Sequence, residues 1–415
     1  MKFVELDLVD PILRAVEYKG YENPTPIQEQ AIPVVLENND ILGIAQTGTG
    51  KTAAFAIPII QSIYKLNKNR SGKPRIQALI VTPTRELAIQ IDDNIRDYNK
   101  YTNLRHSVIF GGVKQGKQVD TLRRGVHILT ATPGRLLDLI NQGFISLNDL
   151  KIFVLDEADR MLDMGFIHDV KKLIKIIPRK RQTLFFSATM PENIISLSKS
   201  ILTDPVRIEI AVRSSPTENV EQSLYYVDKT NKLDLLIHLL EDNEGQVLLF
   251  SRTKHGADKL VRKLSKAGHS AVAIHGNKTQ NQRQKALKSF KEGKRDILVA
   301  TDIAARGIDI KSLELVINYN IPNVAETYVH RIGRSGRAGE KGNAITIVEG
   351  DENKLVKPIE KLMGKSIPVV KEHPFPQTRQ TYPTSSKNGS GSGSSDKPKS
   401  RGNNSRNRKY RGRRR

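Results

Sequence analysis

Ile41-Leu42-Gly43-Ile44-Ala45-Gln46-Thr47-Gly48-Thr49-Gly50-Lys51-Thr52 decides the architecture of this 415-residue chain. An apolar strand runs into a glycine-rich turn that opens a helix, the context a phosphate-binding loop requires. Backbone N–H groups of Gln46, Thr47, Gly48, Thr49 and Gly50 can curl around phosphate oxygens. Lys51 can reach the β and γ phosphates, and the Thr52 hydroxyl can ligate Mg²⁺ at the helix N-terminus. Ala45 stands where the general pattern has its first glycine, so a plain turn capping a helix competes as a reading of this segment alone.

Outward from this loop, short apolar runs at residues 41–45, 78–82, 127–131, 152–155 and 183–187 alternate with helix-length segments. That rhythm predicts a parallel sheet covered by helices. It restarts at 224–227, 247–250, 271–274, 296–300, 315–317 and 344–348, with helical patterns such as 254–267 between, which predicts a second α/β domain. Residues 211–218 lack periodicity, contain Pro216 and read as a linker.

The second half of the nucleotide site lies where Ile152-Phe153-Val154-Leu155 runs into Asp156-Glu157-Ala158-Asp159. A run apolar on both faces fits a central parallel strand, and ligands gather at the carboxyl ends of such strands. Asp156 is placed to hold Mg²⁺, and Glu157 to orient and deprotonate an attacking water. A helix start enriched in acids is the plainer alternative.

Composition narrows the partners. Lys and Arg number 67 against 44 Asp and Glu, a net charge of +23, which calls for a polyanion such as nucleic acid or an anionic membrane surface. The absence of cysteine excludes disulfides, thiol nucleophiles and cysteine zinc sites. Acids in Met1-Lys2-Phe3-Val4-Glu5-Leu6-Asp7 occupy the place of a secretory apolar region, and no run reaches membrane-spanning length, so a cytoplasmic protein without membrane contact is expected. Residues 377–415 hold 12 Lys or Arg and one acid among Gly, Ser and Asn, too little apolar surface to offset chain entropy. The 55 basic and 43 acidic residues before them leave that part positive as well.

At the phosphate loop and Asp156-Glu157-Ala158-Asp159 the sequence resembles the DEAD-box RNA helicases of superfamily 2, over about residues 3 to 365. The four-residue stretch spells the motif that names the family, where Ala45 is usual. The resemblance implies two tandem RecA-like parallel-sheet domains at residues 1–210 and 219–368, and the composition beyond them reads as a disordered basic tail from 369 to 415. Arg252-Thr253-Lys254-His255-Gly256-Ala257 and His275-Gly276-Asn277-Lys278-Thr279-Gln280 look most like the bacterial RhlE-type branch. Gly20-Tyr21-Glu22-Asn23-Pro24-Thr25-Pro26-Ile27-Gln28 matches the family's Q motif, and Phe3 its isolated upstream aromatic. By resemblance Gln28 reads the adenine edge and Tyr21 packs on the ring, so the nucleotide is expected to be ATP. An amide suits that task because it offers a donor and an acceptor together.

Asn231-Lys232-Leu233-Asp234 matches the guanine-reading signature of GTPases, a competing signal carried by only four residues. Ser187-Ala188-Thr189 resembles the family's third motif, with hydroxyls suited to bridging Asp159 and coupling hydrolysis to RNA. His330-Arg331-Ile332-Gly333-Arg334-Ser335-Gly336-Arg337 implies arginine fingers at Arg334 and Arg337, with His330 in the network around the attacking water. Asp309, with Gly307 in the same motif, is the implied ribose contact. Acids in one domain and fingers in the other imply catalysis on closure of a cleft.

RNA contacts carried over in the same way are Pro83, Thr84, Arg85, Gly112, Thr132 and Arg135 in the first domain. Arg252, Gly276, Gln280, Arg283 and Thr301 are those in the second. Hydroxyls, arginines and amides at helix starts suit phosphates and carry no base sequence. The family opens short duplexes locally without long-range translocation. An ATP-gated RNA clamp would carry the same motifs, and a non-enzymatic RNA chaperone is disfavoured by intact Lys51, Glu157, Arg334 and Arg337.

Overall fold

The computed structural model describes residues 1–46, 48–210, 220–241, 243, 245–305, 308, 310, 313–336 and 342–378. The expected linker at 211–218 and the basic tail beyond residue 378 lie outside the described residues.

The first sheet holds β1 (Ile41–Ile44), β2 (Ala78–Val81), β3 (His106–Ile109), β4 (Ile128–Ala131), β5 (Ile152–Leu155), β6 (Gln182–Ser187) and β7 (Val206–Glu209). The second holds β8 (Val220–Tyr226), β9 (Val247–Phe250), β10 (Ala271–Ile274), β11 (Ile297–Ala300), β12 (Leu315–Asn318), β13 (Gly342–Val348) and β14 (Val369–Val370). All pairings are parallel. The orders are β3-β4-β2-β5-β6-β1-β7 and β10-β11-β9-β12-β13-β8-β14, so the second sheet repeats the first with every strand seven places later.

Every residue of β2, β4, β5 and β6 is buried, because helices cover both faces of the sheet and leave no polar side for an alternating pattern. Two apolar clusters divide along it, one containing Ile80, Val154 and Phe186 with the helix Lys51–Asn67, the other Leu79, Phe153 and Phe185. Buried Gln61 on that helix accepts from Val9 N–H at 2.7 Å and donates to Asp7 O at 2.8 Å, pinning the N-terminal segment to the phosphate-loop helix.

Three strands escape the reading of apolar runs: β3, β7 and β14. All lie at sheet edges and are incompletely buried, so they have no need of a continuous apolar run. The last corrects the expected boundary at 368. Val369–Val370 pairs with β8 as β7 pairs with β1, and Phe375 packs against the second-domain core. Thr378 closes the described chain by donating its N–H to Asp228 at 3.1 Å. Among the described residues no helix is long and apolar enough to cross a membrane.

Candidate nucleotide and nucleic-acid site

Both halves of the predicted nucleotide site stand at strand carboxyl ends of the first sheet. After β1 the chain turns through Gly48 and Gly50, with φ of 89° and 96°, before the helix starts at Lys51. A side chain at Gly50 would run into Gln28 and Thr25 as well as adopt a strained backbone. Thr49 Oγ1 donates to Gln46 O at 2.9 Å, and buried Lys51 Nζ donates to Ala45 O at 2.7 Å, folding the lysine over the loop. Thr52 follows on the first turn. Thr47 lies outside the described residues.

The Q-motif residues meet this loop directly. Thr25 caps the helix Pro26–Leu36, its N–H donating to Gln28 Oε1 at 3.0 Å, while Gln28 Nε2 donates to Gly50 O at 3.2 Å. Tyr21 stacks on Phe3 with ring centroids 6.3 Å apart, and its hydroxyl lies 3.3 Å from that of Tyr98. Burial, then the Tyr21 contact, pushes the Tyr98 pKa up.

β5 delivers the acids. Asp156 is 2% exposed, its N–H donates to Val81 O at 3.0 Å, and its Oδ1 has no hydrogen-bond partner among the described residues. Burial pushes its carboxyl up to about 6, against the opposing charge of Lys51. A buried carboxylate oxygen without a donor, beside a phosphate loop, is hard-donor chemistry that fits Mg²⁺. Glu157 is buried and held at φ 55°, ψ 50°, a strained conformation for a non-glycine residue, with Oε2 paired to Arg160 Nη1 at 2.6 Å.

Asp159 joins this loop to the end of β6. Its N–H donates to Ser187 Oγ at 3.2 Å, and its Oδ2 accepts from the N–H and the hydroxyl of Thr189 at 2.9 and 3.0 Å. Ser187 Oγ in turn donates to Thr189 O at 2.7 Å.

In the second domain the helix Ala325–Ile332 carries exposed His330. Arg334 is 5% exposed and donates to Ile308 O at 3.1 Å. His330, Arg331 and Arg334 line one small cavity with Phe250 and Asp302. Arg331, not singled out from sequence, braces the domain through both carboxylate oxygens of Asp302 at 2.6 and 2.9 Å and through Asn318 Oδ1 at 3.0 Å. Its Nη1 also reaches Asn320 O at 2.7 Å. Gly307, Asp309 and Arg337 lie outside the described residues.

Seven of the expected RNA contacts, Pro83, Thr84, Arg85, Thr132, Arg135, Gly276 and Arg283, line one groove of about 500 Å³. Thr84 Oγ1 caps the helix Arg85–Tyr98 by accepting from Leu87 N–H at 3.2 Å. Gly112, at φ 79°, adopts a left-handed backbone that favours glycine, and the Arg85 guanidinium lies where a Cβ would stand. Burial, then the neighbouring Arg283 charge, lowers the Arg85 pKa. Arg135 Nη2 donates to Val113 O at 3.2 Å. Thr301 directly follows β11, its carbonyl accepting from Ala304 and Ala305 N–H at 2.9 Å.

Gln280 differs from its expected place. It is 1% exposed, and its Nε2 donates to Glu86 Oε1 at 2.9 Å while Arg283 Nη2 holds Glu86 Oε2 at 2.9 Å. Gln280 therefore belongs to a seam between the domains. Glu86 directly follows Pro83, Thr84 and Arg85, yet residue order does not mark it, because its partners lie almost two hundred positions away.

The guanine-like signature has another explanation. Lys232 is 3% exposed and its Nζ is spent on Glu349 at 3.3 Å and Glu352 at 3.0 Å. These acids and burial together push the Tyr319 hydroxyl up to about 12, burial contributing most.

Residues 25–197 match the family model described as DEAD/DEAH box helicase, and 231–339 that of the helicase conserved C-terminal domain. The chain is 45% identical over 365 residues to an ATP-dependent RNA helicase CshA of Limosilactobacillus reuteri, covering 87% of this chain and 72% of that protein. It is 40% identical over 371 residues to the DEAD-box ATP-dependent RNA helicase CshA of Bacillus subtilis, covering 89% and 74%. Among solved structures it is similar to S. cerevisiae Dbp5 bound to RNA and ADP BeF3, with 30% identity, a TM-score of 0.76 and coverage of 89% and 95%. A DEAD box protein of Methanococcus jannaschii has 43% identity, a TM-score of 0.52 and coverage of 89% and 99%. The bacterial relatives carry the name CshA, so the expected RhlE-type branch finds no support in them.

Proposed function

Since the chain belongs to the DEAD-box family of ATP-dependent RNA helicases, we propose that it couples ATP hydrolysis to local, non-processive opening of RNA duplexes or remodelling of ribonucleoprotein. One observation carries the coupling. Asp159, three residues from the Mg²⁺ candidate Asp156, is tied to Ser187 and Thr189, while the neighbouring strand β2 leads into Thr84 and Arg85 in the groove.

In this reading Gln28 and Tyr21 hold adenine, and Gly307 and Asp309 the ribose. The loop 46–52 cradles the phosphates, with Lys51 leaving Ala45 O for a phosphate oxygen. Thr52 and Asp156 would hold Mg²⁺, which when bound neutralises phosphate charge. Glu157 orients water and takes its proton, with His330 in the network around that water, and Arg334 and Arg337 stabilise the transferred phosphoryl charge from the second domain. Thr84, Arg85, Gly112, Thr132, Arg135, Arg252, Gly276, Arg283 and Thr301 hold the RNA backbone, and contacts of that kind are indifferent to base sequence. Gln280 serves indirectly, by bracing Glu86 beneath Arg283. A cytoplasmic location, where ATP and RNA meet, completes the proposal.

The test compares ATP turnover with no polymer, with RNA and with DNA of equal length, alongside release of a short RNA duplex. Turnover should rise with RNA and duplex release should require ATP. Turnover indifferent to RNA would refute the proposal.

A further inference from the structure

We infer that Glu352, held by buried Lys232, positions the Arg252 guanidinium for an RNA phosphate. The inference rests on reading Arg252 as an RNA contact. Arg252 follows β9 with its side chain 41% exposed, while the Glu352 side chain is 5% exposed and that of Lys232 3%. Arg252 Nη2 donates to Glu352 Oε1 and, at 3.2 Å, to Ile321 O. Its Nε and Nη1 take no partner among the described residues. The guanidinium is a rigid plane, so anchoring one nitrogen at two acceptors orients the rest of the fork.

Charge accounting separates this role from plain neutralisation of Lys232. Lys232 already has Glu349 at 3.3 Å, so one lysine faces two carboxylates. The second negative charge balances Arg252. Each Glu352 oxygen is committed, Oε2 to Lys232 Nζ at 3.0 Å and to Glu349 N–H at 3.3 Å, and Oε1 to Arg252. A carboxylate buried to this degree persists only when paired, and here the pairing fixes its orientation.

The backbone of Arg252 is fixed as well. Its N–H donates to Asn320 Oδ1 at 3.2 Å, and Asn320 O accepts from Arg331 Nη1 at 2.7 Å. Head and backbone of Arg252 are thus set by segments far apart in sequence before any ligand arrives. An arginine ordered in advance loses less rotamer freedom on binding a phosphate than one free in water.

The experiment measures, in the full-length protein, the concentration of a single-stranded RNA oligonucleotide giving half-maximal ATP turnover, with thermal melting of each variant. Arg252→Ala should raise that concentration about tenfold, the loss of one charge-assisted contact. Glu352→Gln should raise it severalfold, with turnover at saturating RNA little changed. The double variant should match Arg252→Ala alone, because Glu352 acts through Arg252. Should Glu352→Gln fail to fold, the pair Lys232→Met with Glu352→Gln, which removes both buried charges, is compared with and without Arg252→Ala to the same end. Half-saturation unchanged by the Glu352 substitution, or effects that multiply in the double variant, would overturn the positioning role alone. Half-saturation unchanged by Arg252→Ala would instead overturn the RNA reading of Arg252, and the inference with it.

Discussion

Asp159 Oδ2 accepts both the backbone N–H and the hydroxyl of Thr189, at 2.9 and 3.0 Å, so one carboxylate oxygen ties the acidic loop after β5 to the end of β6. Thr189→Ala removes the hydroxyl and keeps the N–H bond. Melting should shift little, since a solvent-facing hydrogen bond contributes only about 1 kcal/mol. Duplex released per ATP hydrolysed should fall about tenfold if the bond transmits the nucleotide state. Equal losses of hydrolysis and duplex release would assign Thr189 to the chemistry instead.

Glu157→Gln keeps the shape of a side chain held in a strained backbone conformation and still offers Arg160 an acceptor. Turnover should drop by roughly 10² to 10⁴, the usual value of a positioned base. ATP and RNA binding should survive, giving a complex that releases RNA slowly in ATP. Rapid RNA release by this variant would remove Glu157 from the role of base.

Gln28 serves two structural partners, Thr25 N–H and Gly50 O. Gln28→Ala should therefore cost about 1 kcal/mol of stability through the lost cap, in addition to weakening ATP and blurring its selection over GTP. Asp234→Ala should leave nucleotide preference unchanged, because the neighbouring Lys232 is committed to Glu349 and Glu352. Competition of GTP against labelled ATP reads both; a change confined to the Asp234 variant would restore the guanine reading.

All 12 Lys and Arg of residues 377–415 lie at or beyond position 379, past the Thr378 contact with Asp228. Deleting 379–415 should preserve ATP turnover at saturating RNA and raise the RNA concentration for half-maximal stimulation. If about half of these charges meet phosphates, log affinity against log salt should be steeper in the full chain by about 2 to 5 units. Identical slopes for the two proteins would make those residues irrelevant to RNA.

Local chemistry was open to the sequence alone. A glycine-rich turn after an apolar strand, or acids at the end of another, depends on the backbone of a few consecutive residues, and apolar runs mark strands buried on both faces. Thus Lys51, Asp156 and Glu157 were placed from residue order, and both sheets were recognised from their central strands. The edge strands β3, β7 and β14 were not, because an incompletely buried edge imposes no continuous apolar pattern.

What tertiary structure alone decided are the partners of charged side chains brought together from distant positions. Nothing near Glu86 in sequence announces Gln280 and Arg283, nothing in Asn231–Asp234 tells Lys232 that its counter-ions are Glu349 and Glu352, and Arg331 finds Asp302 only when the helix Ala325–Ile332 comes beside the segment that follows β11. The physical reason is the same in each case. A strand or phosphate loop is selected by short-range sterics and burial, whereas an ion pair depends on which charges the folded chain leaves within about 4 Å of one another in a place water cannot screen.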